Sequence, residues 1–240
     1  MINQLNKVIY VHPPKTGGWS IISIYGCRSP IADSDGDPRM ECFPNHHTMQ
    51  FYSNRGFDID RYFRFATTRN PWERVVSAFS WLKSNAMNRI KNSQDQSEYT
   101  FERYVQYLAS DRVEMTHYRN NSQWTHPNCV MDYITVDGEV RVDYICSMDT
   151  MQRDFEFVRE LLDCKPTLPH ANKSSHEDYR TYYTDATAEK VGKIFRKDVE
   201  FFGYRFDDPA PREFDRILDR DRVDEHRRRR TLLLTGCTKL

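Results

Sequence analysis

Three short runs of β-branched and aromatic residues stand out in the hydrophobic pattern of the chain. They lie at residues 7–12 (Lys-Val-Ile-Tyr-Val-His), 62–68 (Tyr-Phe-Arg-Phe-Ala-Thr-Thr) and 140–146 (Val-Arg-Val-Asp-Tyr-Ile-Cys). Runs of this length and composition, bounded by polar or turn-forming residues, are typical of strands. The pattern therefore predicts three strands separated by longer stretches of chain.

Apolar residues recur at helical spacing in the stretches that follow these strands. One helix is predicted to begin near Ile21 and another at Pro71, where Asn70 suits the N-cap and proline the first helical position. Further helices are predicted over residues 101–108, 155–162 and 186–202, and polar loops over 26–45, 84–98 and 165–180. Strands that alternate with helices predict an α/β fold with a parallel sheet.

The chain has 240 residues, the size of one domain with short appendages. We predict one domain over residues 1–210 and a charged tail over 211–240, in which residues 227–230 are four consecutive arginines. Such a run predicts a solvated or disordered tail, with binding to an anionic partner as the alternative. Lys+Arg 35 balance Asp+Glu 35, which argues against a nucleic-acid binder that depends on bulk positive charge.

Composition also bears on the compartment. The chain shows no apolar run of membrane-spanning length, and its first residues lack the apolar region of a signal peptide. Its six cysteines form no CxxC pair, so a zinc site is not predicted. Free thiols are typical of a reducing compartment. We therefore expect a cytoplasmic protein without a metal ion.

The most informative segment follows the first predicted strand, at residues 12–20 (His-Pro-Pro-Lys-Thr-Gly-Gly-Trp-Ser). A strand, a Gly17-Gly18 turn and a helix would point several backbone N–H groups at one spot, where an anion binds well. Lys15 adds a positive charge, and Thr16 and Ser20 add hydroxyl donors. The order of residues differs from a Walker A loop, so no magnesium is expected on Ser20. The alternative is an ordinary strand-to-helix turn with a surface lysine.

A second anion site is predicted after the second strand, at residues 69–77 (Arg-Asn-Pro-Trp-Glu-Arg-Val-Val-Ser). In a parallel sheet Arg69 would lie at the same carboxyl edge as Lys15, where ligands bind. Ser77 lies about two helical turns further on and could support Arg69 at an anion. Arg74 has an alternative role, because it could instead pair with Glu73 or Glu102.

These segments together resemble the sulfotransferase superfamily, in the branch of carbohydrate O-sulfotransferases such as heparan sulfate 2-O-sulfotransferase. Residues 14–20 resemble its loop for a 5′-phosphosulfate, and residues 69–77 resemble its 3′-phosphate motif RNPxxRxxS. Similar segments follow in the family's order at residues 142–145, 168–174 and 198–206, so that the resemblance covers residues 7–206. One departure is Trp19, where the family usually has Thr or Ser, so that a hydroxyl contact is lost and the backbone N–H is kept.

The resemblance implies a P-loop-like three-layer fold with a central parallel sheet flanked by helices. It implies transfer of a sulfuryl group from 3′-phosphoadenosine 5′-phosphosulfate (PAPS) to an acceptor hydroxyl, most commonly of a carbohydrate, without a metal ion. The residues that it places around the donor are Lys15, Thr16, Gly17, Gly18, Trp19 and Ser20 at the 5′ end, Arg69 and Ser77 at the 3′-phosphate, and Asn172 and Lys173 in a closing loop.

The resemblance also places a histidine segment, Pro44 to Thr48, between the two anion motifs. An imidazole that titrates near neutrality suits a general base for the acceptor hydroxyl. By register with Thr48 we prefer His46, with His47 as the alternative, and Lys15 would neutralise charge on the leaving group. Two other functions stay open, an ATP-dependent small-molecule kinase and a non-catalytic nucleotide- or glycan-binding protein.

Overall fold

The computed structural model describes residues 1–3, 7–24, 40–41, 46–89, 100–110, 128–162, 168, 177–208 and 214–234. The chain divides into two compact units. Unit 1 comprises residues 1–68, 130–172 and 213–240, and unit 2 comprises residues 69–129 and 173–212.

The described chain contains seven strands and nine α-helices. The strands are β1 (Ile2–Asn3), β2 (Val8–Val11), β3 (Met40–Glu41), β4 (Phe63–Thr68), β5 (Thr135–Val136), β6 (Glu139–Val140) and β7 (Tyr144–Ser147). The α-helices are α1 (Gly18–Ile24), α2 (Met49–Asn54), α3 (Pro71–Arg89), α4 (Phe101–Leu108), α5 (Val130–Ile134), α6 (Met151–Leu162), α7 (Asp185–Ile194), α8 (Arg196–Phe202) and α9 (Arg220–Leu234). Single 3₁₀ turns are Ile59–Arg61, Met148–Thr150 and Tyr179–Tyr182.

A five-stranded sheet in the order β3-β1-β2-β4-β7 forms the centre of unit 1. β2, β4 and β7 are parallel, whereas β1 runs antiparallel to both β2 and β3. The register pairs Val11 with Ala66, and Thr68 with Ser147, so that the three parallel strands end at one edge. The predicted mixed α/β architecture with a parallel sheet is confirmed.

Both central strands are buried along their whole length, as expected for parallel strands covered on both faces. Their side chains belong to a core that α6 completes; its members include Val8, Tyr10, Phe63, Phe65, Phe155 and Val158. This core fixes the position of the sheet edge where β2 and β4 end.

Helix α3 is the first helix of unit 2, and the residues at its own N-terminus determine where it begins. Asn70 Oδ1 accepts a hydrogen bond from the Trp72 N–H at 3.0 Å, and Pro71 occupies the first helical position. The Trp72 indole then donates to the Ala188 carbonyl on α7 at 2.8 Å. The predicted N-cap is confirmed, and it directs a buried tryptophan against the neighbouring helix.

Several predicted boundaries are corrected by packing. Helix α3 continues to Arg89, into the predicted polar loop, and β3 lies within the predicted loop over 26–45. The predicted strand over 140–146 divides into β6 and β7, because Asp143 between them binds Arg64 with its carboxylate. The predicted helix over 186–202 is two helices, since the chain leaves helical geometry at Phe195 (φ −100°, ψ 29°).

The C-terminal segment differs most from expectation. Residues 214–223 pack within unit 1, where Ile145 donates its backbone N–H to the Arg216 carbonyl at 2.9 Å. Arg227, Arg228 and Arg229 of the arginine run are exposed, as expected for a solvated run. Val223 on α9 is buried in the core of this unit. The division into a domain over 1–210 and a charged tail over 211–240 stays a prediction. Within the described ranges, every helix is too short or too polar to cross a membrane.

Candidate active site

The loop after β2 has the backbone geometry of an anion-binding turn. Lys15 and Gly17 have positive φ angles of 64° and 80°, on either side of Thr16. Left-handed residues in such a turn direct successive N–H groups toward one concave side. Helix α1 then begins at Gly18, and its N-terminal N–H groups favour negative charge at the same place.

Side chains of the neighbouring strands β2 and β4 form hydrogen bonds that hold this loop in place. The Thr16 hydroxyl donates its single proton to the Pro13 carbonyl at 2.7 Å. The Thr67 hydroxyl on β4 lies 2.6 Å from the Thr16 hydroxyl and is therefore the donor in that bond. The Thr67 hydroxyl in turn accepts from the Tyr10 phenol on β2 at 3.0 Å. Burial raises the pKa of Tyr10, which keeps the phenol a donor.

This chain of hydrogen bonds corrects one sequence prediction. The Thr16 hydroxyl was expected to donate to the bound anion, but its proton is directed at the Pro13 carbonyl. Thr16 is fully buried. Its remaining contribution to an anion site comes from its backbone N–H.

The two glycines are required for different reasons. Gly17 has a positive φ, and a Cβ there would also lie 2.6 Å from the Met148 sulfur. At Gly18 a Cβ would lie 2.0 Å from Cδ2 of the His12 ring, which is closer than side-chain carbons approach. The loop therefore needs Gly17 for its backbone shape and Gly18 for the close approach of His12.

The remaining loop residues differ in exposure. Ser20 is buried, Lys15 is partly buried, and Trp19 is 47% exposed. The Ser20 N–H donates to the Gly17 carbonyl at 3.2 Å, which closes the turn. Tryptophan side chains are on average highly buried, so the exposed indole of Trp19 leaves an apolar surface beside the loop.

His46 lies beside the loop in unit 1. Its Nδ1 is 2.8 Å from the His12 carbonyl, and the two imidazole rings meet edge to face at 4.5 Å. A carbonyl only accepts, so in this contact His46 Nδ1 carries the proton. In the neutral ring Nε2 is then the basic nitrogen, as a general base requires.

His47 occupies a different environment. Its ring stacks on Phe51 at 3.7 Å, at the start of the helix that Thr48 caps. Burial lowers the pKa of His47 to about 4, and the positive charges of the terminal amino group and of Arg55 add to this. An imidazole with so low a pKa is a weak base near pH 7.

The predicted 3′-phosphate motif lies in unit 2. Arg69 and Ser77 are both buried, and an Arg69 Nη2 pairs with Glu73 at 2.9 Å. Arg74 pairs with Asp198 on α8 at 3.6 Å. Glu73, one of the partners expected for Arg74, pairs with Arg69 instead. Arg74 also donates to the Asn128 carbonyl at 3.0 Å.

Of the predicted site residues, Lys15, Thr16, Gly17, Gly18, Trp19, Ser20, His46 and His47 all belong to unit 1, and His46 contacts the loop segment through His12. Asn172 and Lys173 lie outside the described residues. Among the side chains that the structure describes, no group of three or more His, Cys, Asp or Glu could hold a metal ion.

Sequence patterns missed two residues at this site, Tyr10 and Thr67. Tyr10 and Thr67 lie 57 positions apart, so no spacing signal connects them. The one signal that could have found them was the predicted parallel sheet. In that sheet β2 and β4 are neighbours, and polar side chains of both strands lie beneath the loop.

Comparisons with known proteins point to one family. Residues 1–205 match the protein family described as the sulfotransferase family. Carbohydrate sulfotransferase 10 from Xenopus laevis is 23% identical over 246 aligned residues, which cover 85% of this chain and 66% of that protein. The chain thus spans about two thirds of that relative's length, and no solved structure matches it significantly. The match covers nearly all of the segment in which the sequence resemblance was found, and the chain belongs to the sulfotransferase family.

Proposed function

We propose that this protein transfers a sulfuryl group from PAPS to a hydroxyl group of a carbohydrate. The observation that carries the proposal is the loop after β2, with left-handed Lys15 and Gly17 and a Gly18 that no other residue could replace without a clash. A loop of this shape, in a member of the sulfotransferase family, suits the 5′-phosphosulfate of the donor.

Each part of the loop has a distinct role in this proposal. The backbone N–H groups from Thr16 to Trp19 bind the 5′-phosphosulfate, and Trp19 contributes through its N–H alone. Ser20, whose N–H closes the turn, contributes its hydroxyl. Lys15 supplies a full positive charge where charge develops on the leaving phosphate. Because these groups are held in place before the donor binds, little reorganisation is needed during the reaction.

The buried Arg69 and Ser77 of unit 2 are proposed to bind the 3′-phosphate of the donor. A guanidinium offers two parallel N–H donors to a phosphate, and a serine hydroxyl adds a third. Asn172 and Lys173 are proposed to close over the nucleotide. The P-loop-like three-layer fold and the cytoplasmic location remain part of the same proposal.

The reaction is an in-line displacement at sulfur. The acceptor oxygen forms a bond to sulfur while the bond from sulfur to the bridging phosphate oxygen breaks, and 3′-phosphoadenosine 5′-phosphate (PAP) leaves. His46 Nε2 takes the proton of the acceptor hydroxyl, because the His12 carbonyl holds the other proton on Nδ1. His47 is the weaker candidate, since burial keeps its pKa near 4.

A carbohydrate acceptor is supported by the name of the Xenopus relative, a carbohydrate sulfotransferase. The exposed Trp19 fits the same proposal, because the apolar face of a sugar ring packs well on an indole.

The donor site is tested by titrating PAP into the protein by calorimetry, with ATP as comparison, in the presence and absence of magnesium. We expect PAP to bind without magnesium and ATP to bind at least about tenfold more weakly, a difference of about 1.4 kcal/mol. Arg69→Ala and Arg69→Lys should weaken PAP binding, whereas Arg61→Ala, an exposed arginine, should not. A preference for ATP with magnesium would instead support a kinase, and no binding of either would support a non-catalytic protein.

A further inference from the structure

We propose that His12 is a positioning residue that holds the candidate base His46 in register with the phosphate loop. This inference rests on the proposed role of His46 as the base. His12 is the residue that leaves β2 for the loop, and it is 8% exposed. It contacts His46 through both its backbone and its ring.

The backbone contact determines which nitrogen of His46 carries the proton. The His12 carbonyl lies 2.8 Å from His46 Nδ1 and accepts its proton. The two residues are 34 positions apart, so this bond ties the histidine segment to the end of β2. A flip of the His46 ring would break the bond and turn the basic Nε2 away.

The ring contact determines the plane in which His46 lies. The two imidazoles meet at 4.5 Å with an angle of 64° between their planes. On another side the His12 ring stacks on Tyr10 at 5.8 Å and 15°. Gly18 closes the space further, because its missing Cβ would lie 2.0 Å from the His12 ring. The ring is thus confined by Tyr10, Gly18 and His46.

The same confinement connects His46 to the loop. The Tyr10 phenol, on which His12 stacks, donates to Thr67, and Thr67 donates to Thr16 of the loop. Gly18, which His12 touches, is the first residue of α1. A displacement of the loop would therefore move His46 through one side chain, that of His12. His12 acts on the reaction through the position of His46.

The test replaces the His12 ring while the backbone carbonyl stays. We expect His12→Ala to lower kcat about 10- to 100-fold, because a misplacement of about 1 Å at a reacting group costs up to about 100-fold. The KM for PAPS should change less than about threefold, since loop contacts to the donor do not involve the His12 ring. His12→Phe keeps a ring between Tyr10 and His46 and should recover most of kcat.

Imidazole ¹⁵N NMR supplies a readout that a general loss of stability would not give. In the unmodified protein the His46 signals, assigned by their absence in His46→Gln, should be those of a ring protonated on Nδ1 alone. In His12→Ala the signals should shift toward a mixture of the two tautomers. His226→Ala is the matched control, because that ring packs on Phe63 at 5.4 Å in the same unit and should leave kcat and the His46 signals unchanged.

Two results would overturn the inference. The first is a His12→Ala protein with unchanged kcat and His46 signals. The second is an equal loss of kcat in His12→Ala and His12→Phe with His46 signals like those of the unmodified protein, since His12 itself would then take part in the chemistry. A protein that binds no PAP would refute the proposed function, whereas the His46 signals report on the contact with His12 in either case.

Discussion

His46 and His47 are neighbours in sequence with very different surroundings. His46 touches the loop through His12, whereas His47 stacks on Phe51 and is partly removed from water. Because desolvation disfavours a charged imidazole, His47 stays neutral well below the pH at which histidines ordinarily titrate. We therefore expect His46 to take part in the reaction and His47 to contribute to packing.

Activity measurements should separate the two histidines. We expect His46→Gln to lower kcat about 10²- to 10⁴-fold, the usual contribution of a general base. His47→Gln should lower kcat by less than about tenfold, because its effect on the site is indirect. The measurement is transfer of labelled sulfate from PAPS to a carbohydrate acceptor, with PAP binding as the control for an intact donor site. A larger loss at His47 would reverse the assignment.

The low pKa of His47 predicts a dependence of stability on pH. In the unfolded chain His47 titrates near pH 6.5, and in the folded protein near pH 4. Between these values the unfolded state binds the extra proton, so the free energy of unfolding should fall as the pH is lowered from 6.5 toward 4.

The matched variant for this effect is His47→Phe, which keeps a ring against Phe51 but cannot take up a proton. Its free energy of unfolding, measured in urea at several pH values across the window, should fall less steeply than that of the unmodified protein. Parallel pH profiles for the two proteins would show that His47 is not the group responsible.

At the scale of elements, helix α3 combines a locally encoded start with a long-range anchor. Asn70 and Pro71 begin the helix, and the buried Arg74 of its second turn pairs with Asp198 on α8. The Arg74 guanidinium also lies over the ring of Phe195, at 5.6 Å from the ring centroid. Arg74 thus belongs to the packing of unit 2, although it lies within the motif that resembles a phosphate site.

Removing one partner of this buried pair should be costly. We expect Arg74→Met to lower the free energy of unfolding by about 3–5 kcal/mol, because the buried carboxylate of Asp198 would lose its pairing with this buried guanidinium. The double variant Arg74→Met with Asp198→Leu should recover most of that loss. Arg196→Met breaks an exposed pair with Glu200 and should cost less than about 0.5 kcal/mol. A double variant no more stable than Arg74→Met would exclude this explanation.

At the scale of the whole molecule, the C-terminal segment is part of unit 1. Arg216 binds the buried carboxylate of Asp154 at 2.6 Å, and Arg222 binds that of Asp143 at 3.1 Å. Asp143 also binds Arg64 of β4, so the network joins α9 to the central strands. Charged residues that suggest a solvated tail in the sequence are here the partners of buried carboxylates.

The contribution of this segment is measurable. Arg216→Met should lower the free energy of unfolding by about 3 kcal/mol, since Asp154 is 1% exposed and loses its closest cation. The exposed Arg228 is the control, and Arg228→Gln should change stability by less than about 0.5 kcal/mol. Equal effects of the two substitutions in urea unfolding would support the original prediction of a solvated tail.

Local signals in the sequence predicted the structural features that depend on a few residues close together in the chain. The cap at Asn70, the helix over 101–108 and the parallel sheet were confirmed. The break at Phe195 and the two-part strand around Asp143 were not predictable in this way, because they follow from partners far along the chain.

The sequence by itself determined the family, because the glycine-rich loop and the Arg69 motif are short, ordered and specific segments whose chemistry depends on residue type. The tertiary structure alone decided that the Thr16 hydroxyl is used within the fold, that His46 bonds to the His12 carbonyl while burial lowers the pKa of His47, and that Arg216 binds a buried carboxylate. The His46 and Arg216 contacts join residues 34 and 62 positions apart. The Thr16 bond to Pro13 spans three positions but depends on how the loop is folded, and the low pKa of His47 depends on a desolvation that only folding imposes. Spacing along a chain carries no information about such contacts.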